Sequence, residues 1–273
     1  MMIYFYWCLQ DSKMLNFYFS INPLTKFLSK IGATLKGMLE RNYKQIAPEN
    51  LDYVKKKLIE VFHDENTLVR NAAINSMTAL FIKLGFQNWP ELFQFLANNL
   101  NIDNAELVKV SLECITKILE DLENDSENVN YFEEKNNSPL TELIPKLISM
   151  CNPDYPVSIR EYALKSLNIF TSMMPPSFIL HMNSYFQVLF ISASDQQHPL
   201  IRQLSCEGFV GVLEKRKDLI TANLENVLET ILKLTTDANS DVKKEACLFW
   251  NEFLIVEEGE PEDRLETLRS ILG

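Results

Sequence analysis

The densest group of ionisable side chains in the sequence is an acidic run of four carboxylates within six residues: Glu120, Asp121, Glu123 and Asp125. They open a polar and acidic segment, residues 120–137. Grouped carboxylates of this kind produce a negative field that attracts basic groups. Two interpretations follow, a solvated loop or an acidic contact for a basic partner protein, and the residues alone leave both open.

Residues that could support catalysis or metal binding form no recognisable pattern. The five cysteines are an odd number without a CxxC spacing, and the three histidines lie far apart, at His63, His181 and His198. This arrangement excludes a zinc framework and indicates a reducing compartment. The sequence also lacks GxSxG, P-loop and HExxH motifs. We therefore predict no catalytic residue, no cofactor and no metal ligand, and a protein that is not an enzyme.

Composition narrows the class of partner. Hydrophobic residues make up 47% and charged residues 23% of the 273 residues, which is typical of a folded chain. The net charge of −11 disfavours nucleic acid and favours basic proteins as partners.

Residues 1–21 are apolar but lack the basic start and cleavage site of a signal peptide. No apolar run is long enough for membrane insertion, so a soluble intracellular protein is expected.

The sequence contains an internal repeat of helical segments. Four segments share a β-branched residue, a basic residue after it, and a small residue three positions beyond the basic one. They contain Val69-Arg70 with Ala73, Ile159-Arg160 with Ala163, Ile201-Arg202 with Ser205, and Val242-Lys243 with Ala246. The last three basic residues are spaced by 42 and 41. A fifth segment has Val108 at the basic position and Ser111 at the small one. A period of about 40–47 residues is typical of HEAT or armadillo helix pairs.

The repeat predicts an all-α HEAT-repeat solenoid of about five helix pairs. Each patterned second helix follows a shorter apolar first helix; the five predicted first helices are residues 51–62, 91–100, 140–151, 178–194 and 224–235. The solenoid should span residues 24–257, between an atypical segment 1–23 and the start of a truncated further repeat, 258–273. The small residues should be buried where helices meet, and so should Cys114, Cys206 and Cys247. Asn88 and Ser138 should cap helices, and Pro145 should kink its helix.

Motifs within the repeats resemble those of transportin-type nuclear import receptors, in the karyopherin-β (importin-β) superfamily. QNWPELF is similar to their NWPDLL element, LIPK to their IPK segment, and EACLFW to their EACEFW. The order and distances of these motifs agree across residues 31–257. The residues expected to carry the motifs and the repeat are Trp89, Pro90, Pro145, Arg160, Arg202, Ala246 and Trp250. We expect Trp250 to be largely buried, with part of its ring exposed.

The resemblance implies binding without catalysis. In these receptors the N-terminal repeats present their second helices to the GTP-loaded GTPase Ran, and the outer faces bind FG repeats of nuclear-pore proteins. Cargo with a nuclear localisation signal binds a C-terminal arch, so cargo is expected only if such an arch exists. The acidic run matches an acidic segment of the family and becomes the candidate Ran contact, although residues 1–23 lack the usual first repeat. The implied localisation is cytoplasm and nucleus. The alternative is a general HEAT scaffold, such as a phosphatase scaffold subunit.

Overall fold

A computed structural model describes residues 25–123 and 140–256 of the chain. In these residues all regular secondary structure is helical. The helices are α1 (Thr25–Asn42), α2 (Pro48–Val61), α3 (Thr67–Leu84), α4 (Pro90–Asn99), α5 (Ala105–Glu123), α6 (Leu140–Met150), α7 (Val157–Met173), α8 (Pro176–Ile179), α9 (Met182–Ala193), α10 (Pro199–Lys215), α11 (Lys217–Ala222), α12 (Leu224–Thr235) and α13 (Ser240–Val256). Segments 1–23 and 258–273 and the cap predicted at Ser138 lie outside the described residues.

Five helix pairs account for most of this list, as the repeat predicts. They are α2 with α3, α4 with α5, α6 with α7, α9 with α10, and α12 with α13. The first helix predicted over residues 178–194 is divided in the structure into the short α8 and the longer α9. Phe178 and Met182 are both buried, and the turn between them leaves Leu180 83% exposed. The chain thus buries two anchors from two helices rather than from one straight helix.

The small residues of the repeat lie in the core. Ala73, Ala163 and Ala246 are buried, as the repeat predicts. A residue without a long side chain at this position lets neighbouring helices approach closely. In α13 the apolar side chains on the same face as Ala246, including Phe249 and Phe253, are buried as well. The helical periodicity of the sequence therefore identifies the buried face of this helix correctly.

One cysteine prediction is wrong. Cys114 and Cys206 are buried, as expected, but Cys247 is exposed. Cys247 directly follows the buried Ala246, and successive residues of an α-helix point about 100° apart. The apolar neighbours of Cys247 in the sequence therefore do not place it on the buried face. Leu248, the next residue, is also exposed.

The helix starts also differ from one prediction. Asn88 does not cap α4, because its side chain donates to the backbone carbonyl of Leu84, at the end of α3. Trp89 occupies the cap position without a side-chain hydrogen bond, and Pro90 is the first residue of α4. Proline is favoured there because its missing N–H needs no helical partner. Pro145 lies inside α6, and the helix continues through it.

The chain divides into two compact units, Met1–Leu122 and Glu123–Gly273. The first unit contains α1 to α4 and nearly all of α5. The second contains α6 to α13, and its core includes Phe178 with its ring 5.9 Å from that of Phe170 and 5.3 Å from that of Tyr185. None of the described helices is both long and apolar enough to cross a membrane.

Candidate functional site

The acidic run lies at the end of α5. Glu120, Asp121 and Glu123 are exposed, while Leu122 between them is buried. Glu123, with which the second unit begins, accepts a hydrogen bond from the hydroxyl of Ser172. The fourth residue of the run, Asp125, lies outside the described residues. Carboxylates at a helix C-terminus are unfavourable to the helix dipole, by about 0.3–1 kcal/mol each. Their position is therefore not explained by helix stability.

The three arginines of the repeat, Arg70, Arg160 and Arg202, connect successive helix pairs. In the first unit, the guanidinium of Arg70 donates to the backbone carbonyls of Asp64 and Glu65, at the turn within its own pair. The same group lies 3.0 Å from the carboxylate of Glu106, at the start of the second helix of the next pair. Arg70 thus links two consecutive pairs.

Arg202 makes the corresponding connection in the second unit. Its Nε lies 2.7 Å from Oδ2 of Asp237 and its Nη2 lies 2.9 Å from Oδ1, a two-pronged contact with the turn of the next pair. Its Nη1 donates to the backbone carbonyl of Asp195, in the turn of its own pair. Two parallel hydrogen bonds fix the geometry of an arginine–carboxylate pair more firmly than one does.

The carboxylate of Asp195 makes contacts both within its own turn and with the preceding helix pair. Its Oδ2 lies 2.6 Å from Nη2 of Arg160, which belongs to the preceding helix pair. Its Oδ1 accepts hydrogen bonds from the backbone N–H groups of Gln197 and His198, and lies 3.1 Å from Nδ1 of the His198 ring. Asp195 therefore orders the turn before α10 and joins that turn to α7.

These contacts change the acidity of Asp195. Burial by itself raises the pKa of the carboxyl group, because the charged form loses hydration. The hydrogen bonds from the backbone of His198 and Gln197, together with the guanidinium of Arg160, outweigh that effect and lower the pKa to about 2. Asp195 is consequently ionised at neutral pH and balances the charge of Arg160.

A cleft of about 720 Å³ lies beside this ion pair. It is lined by Pro153, Arg160, Phe190, Ile191, Ser194, Asp195, Gln196, Gln197 and His198. Ile191 is 50% exposed. The ring of Phe190 is held edge-on by two other rings, 5.2 Å from Phe186 and 5.1 Å from Phe209. The cleft is open to solvent and combines apolar with hydrogen-bonding groups. The cleft suits an apolar side chain attached to a polar backbone.

The remaining motif residues pack within the fold. Trp89 is buried. Trp250 is half-buried, and its indole N–H donates to the hydroxyl of Thr235 at 3.0 Å. Arg160, at 3% exposure, is almost completely buried, whereas the side chain of Arg202 is 14% exposed. The structure brings Arg160 and Arg202 to the same turn, through Asp195.

The described residues offer little for catalysis or metal binding. Burial raises the pKa of the thiols of Cys114, Cys151 and Cys206 to about 12 in each case. These thiols are therefore protonated and poor nucleophiles at neutral pH. In the ranges 25–123 and 140–256, no group of three His, Cys, Asp or Glu side chains could hold a metal ion.

Sequence reasoning missed four residues of this site: Asp195, Asp237, Phe190 and Ile191. The two aspartates had a signal in the sequence, because each follows the arginine of the preceding pair by 35 residues. The separation is constant because each aspartate lies in the turn before the next basic residue of the repeat, seven and six residues short of the full steps of 42 and 41. Phe190 and Ile191 had no such signal, since an apolar pair near the end of a first helix is usual in core packing.

Comparison with known proteins supports the motif analysis. No family model matches the chain. A transportin of Dictyostelium discoideum is 27% identical over 235 residues, which cover 85% of this chain and 24% of the relative. An importin subunit beta-2 of Schizosaccharomyces pombe is 28% identical over 202 residues, which cover 74% of this chain and 22% of the relative. The chain thus spans about a quarter of the length of these curated relatives.

Solved structures of low sequence identity share the fold. The crystal structure of importin-β in an ammonium sulfate condition is similar to this chain with a TM-score of 0.66 and 17% sequence identity. The similar region covers 93% of this chain and 29% of the importin-β chain. The Kap95:Nup1 complex gives a TM-score of 0.66 at 17% identity, with coverage of 91% and 29%. The predicted all-α HEAT-repeat class is confirmed. The predicted resemblance of this chain to transportin-type nuclear import receptors of the karyopherin-β superfamily is likewise confirmed.

Proposed function

We propose that this chain is part of a nuclear import receptor that works between cytoplasm and nucleus through non-catalytic protein–protein contacts. The observation that carries the proposal is the cleft beside Phe190 and Ile191, because it offers a peptide-sized site on a first helix. The names of the curated relatives, transportin and importin subunit beta-2, support the same class of function. The acidic run provides a second candidate contact.

The proposed occupant of the cleft is an FG repeat of a nuclear-pore protein. A phenylalanine side chain buries about 150–250 Å² and fits against the Phe190 ring and the exposed part of Ile191. The following glycine, having no side chain, lets the peptide backbone approach the wall formed by Gln197 and His198. A solved structure of similar fold contains Kap95 together with Nup1. The resemblance assigns FG repeats to outer faces, and α9, which bears the apolar wall, is a first helix.

Fluorescence anisotropy with a labelled peptide of two Phe-Gly motifs and uncharged spacers tests this proposal. Replacing Ile191 by serine removes about half of a buried side chain's contribution, roughly 1 kcal/mol, so the Kd should rise about fivefold. The matched control is Leu232→Ser, on α12, where an apolar residue of 45% exposure lies outside the cleft. Equal weakening by both variants, or equal binding of a peptide with Phe replaced by Ser, would contradict docking in the cleft.

We further propose that the acidic run binds Ran in its GTP form. Exposed ion pairs contribute only about 0–1 kcal/mol each, so the four carboxylates should act together. Their joint effect should be on the association rate and its salt dependence. Neutralising Glu120, Asp121, Glu123 and Asp125 should slow the association of this chain with GTP-loaded Ran and make the association rate less dependent on salt. The same change should have a smaller effect with GDP-loaded Ran.

The Ran experiment needs a control for net charge. Glu142→Gln with Glu225→Gln removes two exposed carboxylates elsewhere, and Glu120→Gln with Asp121→Asn is the matched pair within the run. Equal effects of the two pairs would assign the result to net charge and not to a contact. A general HEAT scaffold, the alternative, has no reason to distinguish the two nucleotide states or to bind Phe-Gly motifs. Absence of both activities would favour it.

A further inference from the structure

We propose that Asp195 sets the charge specificity of the cleft by neutralising Arg160 in its wall, so that the cleft selects uncharged peptide segments. The inference rests on the proposed peptide binding of the cleft and concerns what it accepts. Its basis is the position of the ion pair, since both partners line the cleft as well as joining two helix pairs.

Arg160 depends on Asp195 for its charge balance. The residue is 3% exposed, so water screens its charge poorly. In the described part of the chain, Asp195 is the carboxylate within ion-pair distance of its guanidinium, and Nε of Arg160 has no hydrogen-bond partner there. Arg202 also approaches Asp195, through the backbone carbonyl, but its own charge is balanced by Asp237.

The remaining lining of the cleft adds little charge. Apart from Arg160, Asp195 and the ring of His198, the lining residues are proline, phenylalanine, isoleucine, serine and glutamine. Removal of one member of the ion pair therefore gives a neutral cleft a net positive or negative charge. At an effective dielectric constant near 20, an unpaired charge in the cleft about 10 Å from a charge on the peptide changes the affinity for that peptide on the order of tenfold.

The hydrogen bonds of the turn can be kept when this charge is removed. Oδ1 of Asp195 accepts from the backbone N–H groups of Gln197 and His198, and an asparagine side-chain oxygen accepts such bonds equally well. Asp195→Asn thus retains the turn and leaves Arg160 as an uncompensated cation. Arg160→Gln is the reciprocal change and leaves the carboxylate of Asp195 uncompensated.

The experiment measures peptide preference by anisotropy. Three labelled Phe-Gly peptides of equal length carry uncharged, aspartate or lysine spacers. The parent should prefer the uncharged peptide. Asp195→Asn should raise the affinity for the aspartate peptide relative to that for the lysine peptide by about tenfold. Arg160→Gln should change the same ratio in the opposite direction. The double variant should restore the parent's order of preference. Asp218→Asn, which breaks an ion pair whose residues do not line the cleft, should leave the order unchanged.

Failure of each proposal has a separate signature. If the parent binds the uncharged peptide but the order of preference is unchanged in both single variants, the charge-specificity role of Asp195 is refuted. The same conclusion follows if Asp218→Asn shifts the preference as much as Asp195→Asn. If the parent binds none of the three peptides, the peptide-binding function of the cleft fails and this inference fails with it. If Asp195→Asn does not fold, the order of peptide preference of Arg160→Gln tests the charge-specificity role instead.

Discussion

Replacing Asp195 by asparagine should destabilise the second unit strongly. The side chains of Arg160 and Asp195 are only 4% and 8% exposed, so the substitution leaves a buried guanidinium without its counter-ion. Breaking a buried pair in this way typically costs about 3–5 kcal/mol. Because asparagine preserves the hydrogen bonds of the turn, Asp195→Ala should cost about 1 kcal/mol more.

A comparison within the chain separates this effect from loss of charge in general. Arg216 and Asp218 form an ion pair whose side chains are 29% and 63% exposed. Asp218→Asn should therefore reduce the free energy of unfolding far less than Asp195→Asn. Combining Asp195→Asn with Arg160→Met should recover part of the loss, because an apolar side chain then replaces the unpaired charge.

The assay is thermal and urea unfolding followed by far-ultraviolet circular dichroism. For a chain of this size 1 kcal/mol corresponds to about 2–4 °C, so Asp195→Asn should lower the Tm by roughly 10 °C. Helix pairs can unfold separately in repeat proteins, so hydrogen exchange at the amides of Gln197 and His198 provides a local measurement. If Asp195→Asn and Asp218→Asn shift the Tm equally, the ion pair at this joint contributes no more than a surface pair, and the reasoning fails.

The pH dependence follows from the same carboxylate. The pKa of Asp195 falls from the ordinary 3.8 to about 2 in the folded chain. A lowered folded-state pKa stabilises the fold above the unfolded value, and that contribution is lost as the pH falls. The parent should therefore lose about 2 kcal/mol between pH 4 and pH 2 through this group. Asp195→Asn should lack that part of the acid sensitivity, and parallel stability curves for the two proteins would contradict the assignment.

Two packing predictions concern small residues. Gly208→Ala should destabilise by about 1–3 kcal/mol despite better helix propensity, because the new methyl carbon would lie 2.5 Å from the hydroxyl of Tyr185. Gly37→Ala is its control, since the added carbon meets only the end of an arginine side chain, at 3.3 Å, and should stabilise by up to about 1 kcal/mol. Ala246→Leu should cost about 1–3 kcal/mol and the adjacent Cys247→Leu, at an exposed site, less than about 0.5 kcal/mol. Urea denaturation measures all four, and equal costs at positions 246 and 247 would contradict the assigned buried face.

The sequence predicted the elements of the fold and the residues at their contacts. Helical periodicity is a local property, so the five pairs and the buried Ala73, Ala163 and Ala246 could be derived without coordinates. The same reasoning failed for Cys247, because apolar neighbours in sequence do not fix the rotation of a helix about its axis. It also treated residues 178–194 as one helix, because a turn between two buried anchors leaves no strong sequence signal.

The candidate site divides in the same way. The sequence by itself determined the acidic run, the family motifs and the repeated basic residues, since each depends only on residue type and spacing. Only the tertiary structure decided that Arg160 meets Asp195, that Arg202 meets Asp237, and that the first of these pairs lines a cleft with Phe190. These contacts join residues of different helix pairs, and their geometry is set by the stacking of one pair on the next. That stacking depends on the packing of complete apolar faces, which no local pattern specifies.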